Sequence, residues 1–156
     1  MSEGDIPAAK IFYNGEYWDA KSLLTKIIRR AKEELIIVDP YLGMATLDIL
    51  AKRTRGVRIE LITPSNGELG ETDFEAFGRQ YGKLTKSLCG ICHDRYIVVD
   101  GKSIYAVGAS LKDAGRLAFS IIKSDDLPIS ELLAKLRKAI SVRTEYSSAK
   151  RKCGEK

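Results

Sequence analysis

Leu35-Ile36-Ile37-Val38 is a continuous apolar run that stops at Asp39-Pro40, and it constrains the fold of this chain more than any other segment. A strand apolar on both faces must be covered on both, which is the situation of a central strand in an α/β sheet. What flanks the run agrees. From Ala20 to Lys32 the apolar residues Leu23, Leu24, Ile27, Ile28 and Ala31 recur at helical spacing, with Lys26, Arg29 and Arg30 among the outward positions and Asp19 placed to cap the helix. A helix over about 46–53 and a strand over 57–62 repeat the alternation, so Asp39-Pro40-Tyr41 and Thr63-Pro64-Ser65-Asn66 follow successive strand ends, where open α/β sheets place ligands.

Further along, 71–81 reads as a weaker helix. The β-rich segments 95–99 and 103–107, separated by Asp100-Gly101-Lys102, read as an antiparallel hairpin, which makes the sheet mixed. A strand over 117–122 and a last helix over 128–140 complete the pattern. At the other end, Ile11 to Trp18 reads as a hairpin turning at Asn14-Gly15. The expected fold is one α/β domain over 1–140, a mixed β-sheet flanked by helices on both faces, with 141–156 as a basic C-terminal tail. That tail holds +3 of the net charge of +5, enough for sequence-independent attraction to an anionic partner at low salt. No run approaches the ~20 apolar residues of a membrane span. Glu3 and Asp5 stand where a signal peptide would be basic, and three cysteines suit a reducing compartment, so the expected location is cytoplasmic.

One histidine serves the whole chain, in Cys89-Gly90-Ile91-Cys92-His93-Asp94-Arg95. Read as Cys-x-x-Cys-His, this matches c-type haem attachment; a zinc site or a Cys-x-x-Cys redox pair are further readings. Each fits poorly. Haem would have only Met44 or the initiating methionine as a second ligand, Cys92 and His93 are adjacent, and the motif precedes a strand where a redox pair would precede a helix. Strand alternation instead places His93, Arg95, Ile97 and Val99 on one face, imidazole and guanidinium about 7 Å apart, a spacing suited to phosphate. With Asp100-Gly101 as a two-residue turn, His93 faces Gly108, whose missing side chain leaves access, and Ser110 and Lys112 lie just beyond. The competing account makes His93 a strand-end residue, Asp100 a turn former and Gly108 a strand terminator. Apart from Asp94 and Asp100, no carboxylate lies near His93 in the chain, so neither a metal nor another cofactor is expected.

His93-x-Arg95-x-x-x-x-Asp100 followed by Gly108-Ala109-Ser110-Leu111-Lys112-Asp113 resembles the paired signatures of the phospholipase D superfamily, His-x-Lys-x4-Asp and Gly-Ser-x-Asn, and is most similar to its single-motif subset. The likeness extends to Ile36-Ile37-Val38-Asp39-Pro40-Tyr41. It implies a phosphodiesterase in which one histidine attacks phosphorus and a second protonates the leaving group. With one motif per chain, it implies a homodimer sharing the site. Carried over, His93 is nucleophile or acid, Arg95 replaces the phosphate-binding lysine, Asp100 is the orienting carboxylate, and Gly108, Ser110 and Lys112 form the phosphate-binding segment. The substrate implied is a phosphodiester, nucleic acid first. Arg95 in place of Lys and Leu111 in place of Asn are departures that leave a second expectation beside it, an inactive module of the same fold that recognises phosphate, nucleic acid or a protein.

Overall fold

The computed structural model describes residues 6–147. Its elements are β1 (Ala9–Phe12), α1 (Tyr17–Arg30), β2 (Glu34–Val38), α2 (Met44–Leu50), β3 (Arg58–Thr63), α3 (Glu71–Tyr81), β4 (Leu84–Cys89), β5 (Tyr96–Val99), β6 (Ser103–Val107), β7 (Phe119–Lys123), α4 (Ile129–Lys138) and β8 (Ile140–Tyr146), with a 3-10 turn at Leu111–Asp113. The strands form one mixed sheet in the order β1-β7-β6-β5-β2-β3-β4-β8. Strands β2, β3 and β4 run parallel, and all other neighbours are antiparallel.

Burial explains the layering. On β2, Leu35 and Ile37 point into a large core shared with Ala20, Leu24, Ile27 and Ile28 of α1, Leu47 and Leu50 of α2, and Phe74 and Phe77 of α3. Their alternates Ile36 and Val38 point into a smaller core closed by Leu136 of α4, with Ile129, Leu132 and Leu133 packed against it. The sheet is therefore covered by helices on both faces, as its doubly apolar central strand requires. An ion pair helps fix α4: the Arg137 guanidinium donates to the carboxylate of buried Glu60 on β3 at 3.0 Å, and Ser87 Oγ donates to the same carboxylate at 2.7 Å. Among the described residues no helix is long and apolar enough to cross a membrane.

Four details depart from the sequence reading. The Asn14-Gly15 turn forms, with Gly15 at φ 92° and Glu16 N–H donating to the Tyr13 carbonyl at 3.1 Å, but Tyr17 and Trp18 begin α1 instead of a second strand. Phe12 pairs with Phe119 of β7, and the rings stack at 5.3 Å, so long-range pairing overrides the local hairpin signal. Glu16 accordingly occupies the N-cap position of α1, and Asp19 falls in its first turn. Strand β4 had no counterpart in the sequence reading. Nor did β8, which carries the sheet through Tyr146, beyond the boundary expected at residue 140; the lysines and arginine expected in the tail from 148 onward lie outside the described residues.

Candidate functional site

Strand directions decide which loops share an edge. Val38 lies opposite Tyr96, Tyr96 opposite Ala106, Val107 opposite Ile121, and Phe12 opposite Phe119. One edge of the sheet thus gathers the segments 13–18, 39–41, 63–66, 90–95 and 108–118. Every sequence-selected residue except Asp100 belongs to this edge.

At its centre is Asp39, 1% exposed. Its Oδ1 accepts the Tyr41 N–H at 2.9 Å, and its Oδ2 accepts the Leu111 N–H at 2.9 Å and the Ser110 hydroxyl at 3.0 Å. Ser110 Oγ lies 2.5 Å from the Tyr41 carbonyl as well. These contacts tie the end of β2 to the segment that follows β6. Burial pushes the Asp39 pKa up; the bonds from Tyr41, Leu111 and Ser110 and the charge of Arg95 oppose this without reversing it. Arg95 is half-buried, its guanidinium 5.6 Å from the centroid of the Tyr41 ring, and its Nε is buried without a hydrogen-bond partner. A buried cationic donor with an unmet bond is costly unless an anion completes it.

His93 is not on the strand. β5 begins at Tyr96, so the alternation expected for His93 and Arg95 does not apply, and the imidazole is 96% exposed, with Nδ1 3.4 Å from Asp94 Oδ1. Asp94 in turn accepts the Tyr96 hydroxyl at 3.1 Å. The turn between β5 and β6 has three residues, Val99 pairing with Ser103, one residue out of the expected register. That slip places Ile97 opposite Tyr105, both in the larger core. Gly108 therefore does not face His93. Its N–H donates to the Ser120 carbonyl at 2.8 Å, and a Cβ there would press on the Ser120 backbone, so the missing side chain serves β7.

Asp100 lies at the opposite end of β5. In left-handed backbone at φ 54°, its carboxylate accepts the N–H groups of Lys32, Glu33 and Glu34 at 2.8–3.2 Å. The structure does not bring it to His93; it shapes the β5–β6 turn and the entry to β2. Lys112 is only 19% exposed and bridges Asp113 at 3.0 Å and Glu68 at 3.5 Å, so its charge is already engaged. The thiols of Cys89 and Cys92 turn into the smaller core, donating to the carbonyls of Leu136 and Ile62 at 3.5 and 3.4 Å. Burial is the main cause of a Cys92 pKa pushed up to about 12, and both thiols are buried while His93 is exposed, so the three do not present one open face to a haem. Asp39 and Tyr41, which the sequence marks only as the end of a strand, are what organise this edge.

This architecture is found in solved structures. NucT from Helicobacter pylori is 17% identical, with a TM-score of 0.64 over 85% of this chain and 96% of that one. TrmBL2, an archaeal chromatin protein described as showing a novel mode of DNA binding, is 12% identical, with a TM-score of 0.51 over 86% of this chain and 52% of its own, so the present chain spans about half of it. No protein-family model matches the sequence, and no curated protein matches it. At such identities the likeness is one of fold: the chain is an α/β domain that shares the fold of NucT, a mixed sheet flanked by helices on both faces.

Proposed function

We propose that the chain is a phospholipase D-like phosphodiesterase that acts on nucleic acid through His93, in a site completed by a second copy of the chain. The observation that carries this reading is the pairing of a fully accessible imidazole with a half-buried guanidinium, Arg95, whose Nε lacks a partner, on the sheet edge organised by Asp39 and Ser110. Positive charge in the proposed site comes from the Arg95 guanidinium, 5.6 Å from the Tyr41 ring. In this mechanism His93 attacks phosphorus and the P–O bond to the leaving group breaks. The departing oxygen takes a proton from the histidine of the second copy. A water then gives that proton back to the second imidazole, attacks phosphorus and frees His93. Arg95 neutralises the developing charge on the non-bridging oxygens. DNA binding by TrmBL2, which shares the fold, makes nucleic acid the first substrate to try.

The test is hydrolysis of an activated phosphodiester in EDTA by wild type and His93→Ala, with mass spectrometry for an acid-labile phospho-adduct on His93 and light scattering for about twice 17.3 kDa. Turnover that needs added metal, or survives His93→Ala, refutes the mechanism. A second reading, a phosphate-recognising module without turnover, is favoured by the engagement of Lys112 with Glu68 and Asp113, which leaves Arg95 to bind the anion without that lysine's help. Anion binding lost in Arg95→Ala, with no hydrolysis in wild type, would select it.

A further inference from the structure

Beside the proposed site, the same sheet edge exposes rings that the core does not use. Trp18, the one tryptophan of the chain, is 79% exposed at the start of α1; Tyr17 and Tyr13 are exposed next to it, and Leu117 is 71% exposed. Gly115 explains how these groups come together. At φ 90° it lies directly against the Tyr17 backbone, where a Cβ would collide, so the segment leading from Ser110 to Leu117 is seated on the first turn of α1. Its other end is bonded through Ser110 to the Tyr41 carbonyl, and the exposed Tyr41 ring has Arg95 over it. A series of contacts therefore links Arg95 and Tyr41, by way of the Ser110–Gly115 segment, to Tyr17, the chain neighbour of Trp18. Five peptide units link Ser110 to Gly115, so the Cα atoms of these two anchor points stand at most about 18 Å apart.

We infer that Tyr41, Tyr17 and Trp18 form a base-stacking platform for single-stranded nucleic acid, leading the strand to the phosphate site at Arg95 and His93; the inference rests on the nucleic-acid reading above. Two features favour this occupant. A cation accompanies the rings: Lys21 Nζ lies 5.1 Å from the Tyr17 centroid, whereas exposed Arg116, next to Leu117, is paired with Asp113 at 3.3 Å. The apolar groups are also broken up by Asp19, Lys21 and Arg116, whereas insertion into a lipid surface wants an unbroken apolar face. Paired bases in a duplex present no free faces to stack, so the platform selects single strands. Asp19, in the first turn of α1, and Asp113, paired with Lys112 and Arg116, are anionic side chains such a strand passes.

The sole tryptophan makes the test direct. Trp18 emission is followed in His93→Ala protein, which leaves the strand uncut, on adding a thymidine 12-mer, a 12-base-pair duplex, or phosphatidylglycerol vesicles. Quenching by the single strand and little change with duplex are expected. In the same background Trp18→Ala should weaken 12-mer binding, read by anisotropy of a labelled strand, about 5- to 100-fold. With His93 present, Trp18→Ala should leave hydrolysis of a small activated diester unchanged, since that substrate has no base to stack. Unmoved emission with the 12-mer, equal quenching by duplex, wild-type affinity in Trp18→Ala, or a response to vesicles alone overturns the platform. If the small diester is cleaved through His93 while Trp18→Ala binds the 12-mer normally, the platform falls and the phosphodiesterase reading stands. If Trp18 responds to the single strand but wild type cleaves no diester, the reverse holds.

Discussion

Replacing Asp39 by Asn tests whether the site is held together as its geometry says. Asparagine has the same shape but only one acceptor oxygen, whereas Asp39 uses both, Oδ1 for Tyr41 N–H and Oδ2 for Leu111 N–H and the Ser110 hydroxyl. Turned so that its oxygen replaces Oδ2, the amide keeps two bonds and sets its own NH2 against the Tyr41 N–H. The opposite orientation loses Leu111 and forces Ser110 to rely on the Tyr41 carbonyl, so the first is cheaper. An unpaired N–H costs about 1–3 kcal/mol, and the two surviving bonds, no longer charge-assisted, weaken by roughly half of their ~1.5–3 kcal/mol each. Relief from holding a buried charge offsets part of this, because burial already pushes the Asp39 pKa up. The expected net loss is about 1.5–3 kcal/mol at neutral pH, or roughly 5–10 °C in Tm for a domain of this size. Urea unfolding followed by circular dichroism is the assay, since Trp18 is too exposed to report on the core. The pH dependence supplies a sign. A carboxyl whose folded pKa is raised stabilises most when protonated, and that contribution is lost as pH rises through the folded value. Wild type should therefore gain on Asp39→Asn as pH falls from 7 towards 3.8, and the deficit of the variant should widen. A loss under 0.5 kcal/mol at neutral pH, or a deficit that shrinks in acid, would refute the account of Asp39 as a buried, destabilised ion that organises the site.

Three further outcomes are expected. Asp100→Ala, which strips the acceptor from three backbone N–H groups, should cost about 1–3 kcal/mol in urea unfolding yet leave any diester hydrolysis by the folded protein intact, because Asp100 lies at the far end of β5. Glu71 is held down to about 2, first by Lys86 and then by the Tyr146 hydroxyl, so its contribution to stability should persist above its ordinary pKa of 4.5 and fade as pH falls towards 2; Glu71→Gln should flatten that acid limb of the stability profile. Cys92, with its thiol pushed up to about 12 mainly by burial, should resist iodoacetamide at pH 8 in native protein and react after denaturation, as read by peptide mass mapping.

Local chemistry sufficed for much of this protein. The doubly apolar run of β2, the helical stripe of α1, the bounds of α3 and the antiparallel pairing of β5 with β6 are all legible in the sequence, because each depends on residues close together in the chain or on a face that must be buried. His93 and Arg95 were legible as candidates through their motif, and so was the strand end at Asp39-Pro40. β8 offered a signal that charge counting hid: Ile140, Val142, Thr144 and Tyr146 alternate with Ser141, Arg143 and Glu145 at a period of two. What the sequence left open was which chain segments meet. β1 takes β7 as its partner across more than a hundred residues, and this turns Tyr17 and Trp18 into helix where a local hairpin was expected. The hairpin register depends on Asp100 being claimed by the N–H groups before β2, a contact no local pattern displays. Asp39 and Ser110 are separated by 71 positions, and only the closing of β2 against β5 and β6 brings the carboxylate beneath the hydroxyl. The sequence determined which residues are candidates for phosphate; the tertiary structure decided their surroundings, since Lys112 finds Glu68 and Asp113 while Arg95 Nε, packed near Tyr41, finds no acceptor.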